Sequence, residues 1–483
     1  MAAMVAVSRI GGRALAALLP DLRTLPGPVY GALGDSITAL VLDGRIATET
    51  RLPSERELAG ALQLSRATVT AAYDALRSEG FLASRTGSGS FVTVPAGSRP
   101  RPSIARWSTA ASDAPDVIDL SRAALPAPPG VLPAAIAVAA QAIGAYARDD
   151  GYEPAGLAVL RSAVAERFTN RGVATSPDQI LVTNGALHGL DLVLRLLVGP
   201  GDRVLTELPT YPGALDAIRN NGARVVPVPM AAAGGWQVEA LQATLRQAAP
   251  RLAYLTPDFH NPTGALIDQD SRRDVLRVAR QTGTTVIVDE TFVDMGFCRS
   301  ERATAAIDGT VITVGSLSKP VWGGLRVGWV RASADLVHRL AALRAGIDMG
   351  GAVLDQLVAT ALFDQLEAIK SVRIAELRIR RDALLTALAR ALPQWRVAVP
   401  QGGLSLWAEL DAPLSTPLSL MAGQSGVVLV PGSRFGVDGT LERFLRLPYA
   451  LPAPRLEEAI RRLSGVWAQL DRRGATARQL VVA

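Results

Sequence analysis

The chain has 483 residues, of which 49% are hydrophobic and 19% are charged, and its formal net charge is +6. This length exceeds what one hydrophobic core normally organises, so two or three domains are expected. The composition excludes a wholly disordered chain and a collagen-like chain. No apolar run reaches the roughly 20 residues that span a bilayer. Because Arg9 and Arg13 interrupt the apolar start at 1–20, we predict a short leading helix and a cytoplasmic protein.

Residue types that bind metals or form covalent adducts are scarce. Cys298 is the single cysteine and the chain has three histidines, so neither an internal disulfide nor a metal site is expected. Among the 50 lysines and arginines, only Lys319 and Lys370 are lysines. A lysine kept in such an arginine-rich chain is a candidate for chemistry that arginine cannot perform.

Three zones follow one another along the chain. Residues 27–93 show short helical patterns and a hairpin, which form the core of a predicted N-terminal domain at 1–94. The Pro-, Ser- and Arg-rich stretch 95–116 has no periodicity and is typical of a linker. Short apolar runs then alternate with helical patterns over 117–470, which indicates an α/β domain with a mostly parallel sheet covered on both faces. The predicted strands lie at 179–183, 203–206, 224–228, 252–255, 285–288, 311–315 and 326–330.

The carboxyl-terminal part of this α/β region has a different pattern. A long helical stretch from about Asp364 to Leu392 is followed by the β-rich runs GLSLWAEL, GVVLV and FLRLPYA. We therefore predict a small α+β subdomain at about 365–470 and a tail at 471–483.

The N-terminal zone has the pattern of helices joined by a tight turn. A first helix is predicted from apolar residues at helical spacing, Leu33, Ile37, Leu40 and Val41. In LPSERELA, Ser54 can cap a second helix and Glu57 can complete a capping box. After a break at Gln63, Ser65 can cap a third helix that presents Arg66 outward. The buried face of the third helix is predicted to be Val69, Ala72, Tyr73 and Leu76.

The segment that follows, FLASRTGSGSFV, predicts a β-hairpin, which would place Arg85 and Gly87 beside DNA phosphates as a wing. Together, LPSERELA, LSRATV and RTGSGSFV resemble the GntR family of winged helix-turn-helix proteins. The family's DNA contacts fall, by this resemblance, on Arg56, Ser65, Arg66, Thr68 and Gly87. Arg66 could pair with guanine edges, whereas Ser65 and Thr68 suit phosphate oxygens. A three-helix module that packs against another protein is the alternative.

Polar segments follow several predicted strands of the α/β domain. Ligands bind beyond the carboxyl ends of parallel strands, so these segments are candidates for one site. Asp289 follows TVIV and could pair with a protonated pyridine nitrogen, or could simply cap a helix. Lys319, in SLSK after VITVG, could form an imine with an aldehyde, or could be a solvated lysine. Hydroxyl groups and a guanidinium that suit a phosphate dianion lie nearby, on Ser316, Ser318 and Arg326.

Two further segments complete the set. The turn after QILVT begins a helix whose free N–H groups could hold the same phosphate, at Asn184, Gly185, Ala186 and Leu187. Asn261, after LAYL, could donate to the phenolic oxygen of a cofactor, although Asn-Pro is also an ordinary turn dipeptide.

The spacing of Asn261, Asp289, Lys319 and Arg326 makes residues 117–470 similar to fold type I enzymes of the aspartate aminotransferase family. The resemblance implies pyridoxal 5'-phosphate (PLP) as cofactor. It also implies Tyr211 over the PLP ring, Tyr152 at a neighbouring subunit's phosphate and Arg446 at the α-carboxylate of a substrate or effector. A surface ion pair on an edge strand is the alternative for Arg446. Thr291 stands where many relatives have a tyrosine, two residues after the ring aspartate. It can still donate a hydrogen bond to the cofactor, but its side chain is short, which puts transaminase turnover in question.

A GntR-type reader joined to an aminotransferase-like domain is the architecture of the MocR regulators of bacterial transcription. This resemblance implies an operator of double-stranded DNA, a head-to-tail homodimer and an internal aldimine at Lys319 that senses an amino compound. Two alternatives stay open. One is a regulator that senses PLP itself, and the other is an active aminotransferase with a vestigial DNA-binding domain.

Overall fold

The computed structural model describes residues 9–19, 22–23, 28–42, 46, 50–85, 89–93, 116–231, 235–298, 302–437 and 439–481. Its helices are α1 (Gly12–Leu18), α2 (Val29–Leu42), α3 (Glu55–Leu62), α4 (Arg66–Ser78), α5 (Val131–Tyr146), α6 (Ala158–Asn170), α7 (Ala186–Leu197), α8 (Pro212–Asn220), α9 (Val238–Ala248), α10 (Gln269–Gln281), α11 (Ala334–Ala345), α12 (Val353–Phe363), α13 (Leu366–Ala391), α14 (Ser415–Gln424) and α15 (Ala453–Val481). Its strands are β1 (Leu82–Arg85), β2 (Gly89–Val92), β3 (Ile118–Asp119), β4 (Ile180–Thr183), β5 (Arg203–Leu208), β6 (Arg224–Pro229), β7 (Leu252–Leu255), β8 (Thr285–Asp289), β9 (Ile312–Ser316), β10 (Gly328–Arg331), β11 (Arg396–Val397), β12 (Ser405–Glu409), β13 (Val427–Val428), β14 (Val430–Pro431) and β15 (Phe444–Pro448).

The chain divides into two compact units. The first comprises 1–121, 412–443 and 459–483, and the second comprises 122–411 and 444–458. The predicted linker lies outside the described residues except for Asp116. The predicted domain boundaries, including the tail at 471–483, stay predictions. None of the described helices combines the length and the apolar character needed to cross a membrane.

Helices α2, α3 and α4 of the first unit share one apolar core, as their patterns predicted. The buried face of α4 is confirmed, because Val69, Ala72, Tyr73 and Leu76 are at most 1% exposed. Gln63 ends α3 with a left-handed backbone at φ 53°, and Ser65 caps α4 by accepting the Thr68 N–H at 3.0 Å. Strands β1 and β2 pair antiparallel, from Leu82 opposite Val92 to Arg85 opposite Gly89. The predicted helix-turn-helix and hairpin are both present.

The predicted capping box of α3 is wrong in one half. Ser54 Oγ accepts the Glu57 N–H at 3.2 Å, as expected. The Glu57 carboxylate instead accepts the Gly12 N–H at 2.8 Å and pairs with Arg9 at 3.4 Å. The Gly12 N–H holds the pKa of Glu57 below its usual value. The capping-box pattern assigned the Glu57 carboxylate to the start of α3, but this carboxylate binds a residue 45 positions away in sequence.

A seven-stranded sheet, in the order β4-β10-β9-β8-β7-β5-β6, forms the centre of the second unit. All seven predicted strands are present, with bounds within two residues of those predicted. The sheet is mostly parallel, and β10 runs antiparallel to both of its neighbours. Successive residues of a strand point to opposite faces of the sheet and pack in two different hydrophobic clusters. Tyr254 and Ile287 pack with α7, α8 and α11, whereas Leu255 and Val288 pack with α9 and α10, so helices cover both faces.

The long helix and the runs GLSLWAEL and FLRLPYA are also present in this unit, whereas GVVLV lies in the first unit. Helix α13 spans 26 residues, close to the predicted stretch. Strand β12 pairs antiparallel with β11 and with β15, and Arg446 of β15 lies opposite Trp407. Arg446 therefore lies in the middle of a strand that is paired with its neighbour.

Candidate cofactor site and DNA-binding surface

Lys319 follows β9 in a half-buried position. Its Nζ donates to the carbonyl oxygen of Ala123 at 2.9 Å and lies 5.4 Å from the centre of the Phe292 ring. Burial lowers the pKa of the ammonium to about 8, the charge of Arg446 lowers it too, and Asp289 raises it. The amine therefore has a much larger neutral fraction near pH 7 than an exposed lysine, as a nucleophile requires.

The other lysine, Lys370, has an ordinary structural role. Its Nζ pairs with Glu367 at 2.8 Å and with Asp294 at 3.1 Å. A guanidinium could make both ion pairs. Scarcity alone therefore does not distinguish the two lysines, and the position at the end of β9 does.

Asp289 ends β8, the neighbour of β9 in the sheet. Its Oδ2 accepts the Tyr254 hydroxyl at 2.6 Å, and its Oδ1 accepts the Thr291 N–H at 2.8 Å. Burial raises the pKa of Asp289, and these donated hydrogen bonds oppose that rise. In the described part of the chain no cation forms an ion pair with this carboxylate. A half-buried carboxylate with such surroundings fits a protonated pyridine nitrogen.

The turn between β4 and α7 forms a backbone cradle. Gly185 precedes the helix with φ 90°, and a Cβ there would lie 2.8 Å from Arg326 Nη2, so only glycine fits. Arg326 Nη2 also donates to the Asn184 carbonyl oxygen at 2.6 Å. The free N–H groups of Ala186 and Leu187 begin the helix beside this guanidinium. Both features favour a phosphate at this point.

Two serines precede Lys319, and the hydroxyl group of Ser316 already takes part in two hydrogen bonds within the protein. The Ser316 hydroxyl donates to the Val327 carbonyl oxygen at 3.0 Å and accepts the Ser318 N–H at 3.1 Å. The Ser316 hydroxyl group therefore stabilises the loop between β9 and β10. Ser318 is half-buried, and contact of either hydroxyl with a phosphate stays a prediction.

The remaining predicted residues differ in exposure, and their contacts with a cofactor stay predictions. Asn261 is buried, Tyr211 is half-buried at the start of α8, and Tyr152 is 60% exposed, as a residue that serves a neighbouring subunit would be. Arg446 is 7% exposed, which disfavours a surface ion pair. Its positive charge lowers the pKa of Lys319, and a shared site for the two side chains stays a prediction.

Sequence reasoning missed three neighbours of this site. Tyr254 donates to Asp289 from a buried position on β7, and Ala123 supplies the acceptor for Lys319. Phe292 presents its ring to Lys319, whereas Thr291 is bonded to Asp289 through its backbone N–H. Phe292 carries no hydroxyl and cannot donate to a cofactor. The sequence did offer one signal for this contact, because the residue directly after Thr291, Phe292, is aromatic.

The start of α4 presents polar side chains to solvent. Arg66 is 74% exposed and lies 3.9 Å from Glu55, and Arg56 of α3 is exposed too. The hydroxyl oxygens of Ser65 and Thr68 lie 2.8 Å apart. Gly87 lies outside the described residues, and for Arg85 only the place on β1 is described.

A further arginine near the hairpin was not predicted. Arg51 packs beside the start of β2, because a Cβ on Gly89 would lie 2.9 Å from Arg51 Nε. Its side chain is exposed. Among the residues that the structure describes, no group of three or more His, Cys, Asp or Glu side chains is arranged to hold a metal ion.

Comparison with known proteins finds two family matches along the chain. Residues 29–92 match the model of bacterial regulatory proteins of the gntR family, and residues 115–463 match aminotransferase class I and II. The chain is similar to the HTH-type regulator YisV of Bacillus subtilis, with 30% identity over 88% of this chain and 92% of the relative. It is 29% identical to the probable rhizopine catabolism regulatory protein MocR of Rhizobium meliloti, over 93% and 95% of the two chains.

A solved structure matches the second part of the chain. The α-aminoadipate aminotransferase LysN of Thermus thermophilus, complexed with N-(5'-phosphopyridoxyl)-L-leucine, has a TM-score of 0.66 and 31% identity. The match covers 74% of this chain and 93% of that structure. Because the GntR and aminotransferase matches together cover most of the chain, it belongs to the MocR-type GntR regulators of transcription, whose DNA-binding domain precedes a PLP-dependent aminotransferase-like domain.

Proposed function

We propose that this regulator changes its affinity for an operator when an amino compound, or PLP itself, binds at Lys319. A cytoplasmic protein is proposed, because chromosomal DNA would be its target. The observation that carries the proposal is one site in which Lys319 is influenced by both Asp289 and Arg446, in a chain that also presents Arg66 at the start of a DNA-reading helix.

The cofactor fits the residues at the site. PLP supplies, when bound, an aldehyde for an amine and a ring that withdraws electrons. Lys319 would provide the amine and Asp289 would pair with the ring nitrogen. The phosphate would lie at the start of α7, close to Ser316, Ser318 and Arg326, and the partner subunit's Tyr152 would complete this phosphate site in a head-to-tail homodimer. Asn261 and Tyr211 would contact the ring, and the roles of these two residues and of Tyr152 rest on the resemblance to the aspartate aminotransferase family.

Arg446 would select the effector. A buried guanidinium attracts a carboxylate, and the Lys319 amine lies near enough for the two cations to influence each other. An α-amino acid carries a carboxylate and an amine on neighbouring carbons, so it suits this pair. In our proposal its binding favours one conformation of the dimer, which changes the spacing of the two DNA-binding domains. Only a difference in affinity for the two conformations can produce this change.

Slow transaminase turnover, or none, is part of the proposal. Phe292 packs on Lys319 and offers no hydroxyl, and Thr291 uses its backbone N–H to bind Asp289. Neither residue therefore supplies a phenol hydroxyl at the position where many relatives have a tyrosine. A regulator gains from this, since it keeps the effector instead of converting it.

PLP capture by the apo-protein should increase with pH, with its midpoint near pH 8. The neutral amine is the reacting form, and the Lys319 pKa is lowered to about 8 from its ordinary value of 10.5. Arg446→Gln should move the midpoint upward, because a positive charge that lowers this pKa is removed. Absorbance measured after rapid mixing at several pH values tests both statements. A midpoint near 10.5 in the wild type would contradict the buried position of the amine.

Tyr254→Phe should weaken PLP binding by about tenfold or more, since a hydrogen bond to a charged group is worth about 1.5–3 kcal/mol. Without the hydroxyl, burial raises the pKa of Asp289 further, so the loss should grow as the pH falls. Tyr449→Phe is a matched control, because Tyr449 is equally buried and donates to the Gly402 carbonyl oxygen. PLP dissociation constants measured across pH compare the three proteins. Equal losses in both variants would indicate a merely structural role for Tyr254.

Arg446→Gln provides the test of the proposed function. An α-amino acid and the amine that lacks its carboxylate should each be titrated into PLP-loaded protein while the visible spectrum is recorded. The variant should need about 10- to 100-fold more amino acid for the same change, as expected for a lost charged hydrogen bond. The response to the amine without a carboxylate should stay the same. A variant that responds to the amino acid like the wild type would refute this effector class.

A further inference from the structure

Three arginines form a row across neighbouring strands at the amino-terminal edge of the large sheet. Arg203 begins β5 and pairs in register with Arg224, which begins β6. Arg251 directly precedes β7, which pairs with β5 on the side opposite to β6. Its backbone N–H donates to the Arg203 carbonyl oxygen at 2.8 Å, so Arg251 lies beside Arg203. Residues in register on parallel strands point to the same face, about 4.8 Å apart. The row of side chains is therefore about 10 Å long.

This row is electrostatically unfavourable by itself. Like charges placed directly opposite each other on a sheet destabilise it. All three side chains are exposed, and within the described ranges none of them forms an ion pair with a carboxylate. Arg251 Nε donates to the Leu197 carbonyl oxygen at 3.1 Å, which fixes its direction without neutralising it.

The arginines line a cavity of about 440 Å³ with Gly201, Asp202 and Ala249. Asp202 is the acid among these lining residues, and its carboxylate accepts the Gly199 N–H at 2.9 Å. Three guanidinium groups thus face one carboxylate in a concave site. This excess of positive charge distinguishes the row from the ion-paired arginines of α10, Arg273 and Arg277.

We infer that Arg203, Arg224 and Arg251 form a second anion site that binds phosphate groups, separate from the cofactor site. Guanidinium groups bind phosphate oxygens in pairs of hydrogen bonds, and a row of this length can contact two phosphates. The cofactor residues Asp289 and Lys319 lie at the carboxyl ends of β8 and β9, and the row lies at the opposite ends of parallel strands. One phosphate compound therefore cannot occupy both sites.

The phosphates could belong to DNA beside the operator or to a small soluble oligophosphate. If the phosphates belong to DNA, the inference depends on the DNA-binding function of the chain. If they belong to a soluble compound, it does not. The test uses the PLP-loaded full chain, so that the cofactor's own phosphate site is already filled. The variant carries Arg203→Gln, Arg224→Gln and Arg251→Gln. Its control carries Arg273→Gln, Arg277→Gln and Arg339→Gln, three exposed arginines that pair with aspartates.

Two probes separate the sources. Mixed-sequence duplexes of about 20 and about 60 base pairs are titrated at several salt concentrations, and pyrophosphate binding is measured by calorimetry. If DNA is the source, the row variant should lose about tenfold or more in affinity for the longer duplex. The slope of log affinity against log salt should then fall by roughly one for each lost phosphate contact. If a soluble compound is the source, pyrophosphate binding should disappear in the row variant and the duplex titrations should match the control.

Either loss supports the second anion site. Row and control variants that behave alike with both probes would overturn it. Should the wild type bind no duplex at all, the DNA-binding function fails, and the pyrophosphate measurement still decides the fate of the row.

Discussion

Lys319→Arg should abolish the attachment of PLP and make operator binding insensitive to every amino compound. A guanidinium keeps the positive charge but does not condense with an aldehyde at neutral pH. Borohydride treatment should therefore fix PLP on the peptide that contains residue 319 in the wild type and leave this variant unlabelled. The visible absorbance of the loaded protein should disappear in parallel.

Lys370→Arg is the matched control for this experiment. Both side chains are replaced in the same way, and an arginine can keep the ion pairs with Glu367 and Asp294. This variant should bind PLP like the wild type. Labelling at peptide 370, or an unchanged spectrum in Lys319→Arg, would show that the amine has been assigned to the wrong residue.

Arg66→Gln should weaken operator binding by about 1–3 kcal/mol, which is roughly 5- to 150-fold. The Arg66 side chain is 74% exposed at the start of α4, and its partner Glu55 is 3.9 Å away, too far for a hydrogen bond. The guanidinium is therefore available to a guanine edge in the major groove. The same substitution should reduce discrimination between the operator and mixed-sequence DNA.

Arg277→Gln serves as the control, because Arg277 is an exposed arginine of α10 whose guanidinium pairs with Asp274 at 2.7 Å. Fluorescence anisotropy with operator and mixed-sequence duplexes compares the three proteins. A loss shared by both variants would reflect net charge. A loss for Arg66→Gln that is equal on both duplexes would assign Arg66 to the phosphates instead of the bases.

Local patterns predicted most of the fold. Apolar runs such as β4 and β7 became strands that are buried on both faces, whereas β6 at the edge of the sheet is mostly half-buried. The alternation of strands with helices indicated the mostly parallel order. Ser54 and Ser65 cap helices as predicted, since an N-cap depends on residues within one turn. The sequence also placed Asp289 and Lys319 correctly at the ends of adjacent strands.

The contacts that could not be predicted depend on packing between distant segments. Glu57 binds Gly12, and Tyr254 binds Asp289, across 45 and 35 residues. Nothing in a local pattern says which donor will meet a carboxylate after folding. The arginine row required the order and register of three strands, which the individual runs do not specify.

Phe292 shows the same limit at the cofactor site. In the sequence, Thr291 stands at the position where a tyrosine is expected, and Phe292 follows it. The backbone after β8 instead turns the Thr291 N–H to Asp289 and the Phe292 ring to Lys319. The direction of a side chain in a turn depends on backbone angles that the residue type does not fix.

The most direct test is the operator affinity of the PLP-loaded wild type, measured with and without an α-amino acid that alters its visible spectrum. Our proposal predicts a change of about 5- to 150-fold, the usual range for coupling between two sites, and none in Lys319→Arg. If the spectrum changes while the operator affinity stays the same, the site at Lys319 does not control DNA binding.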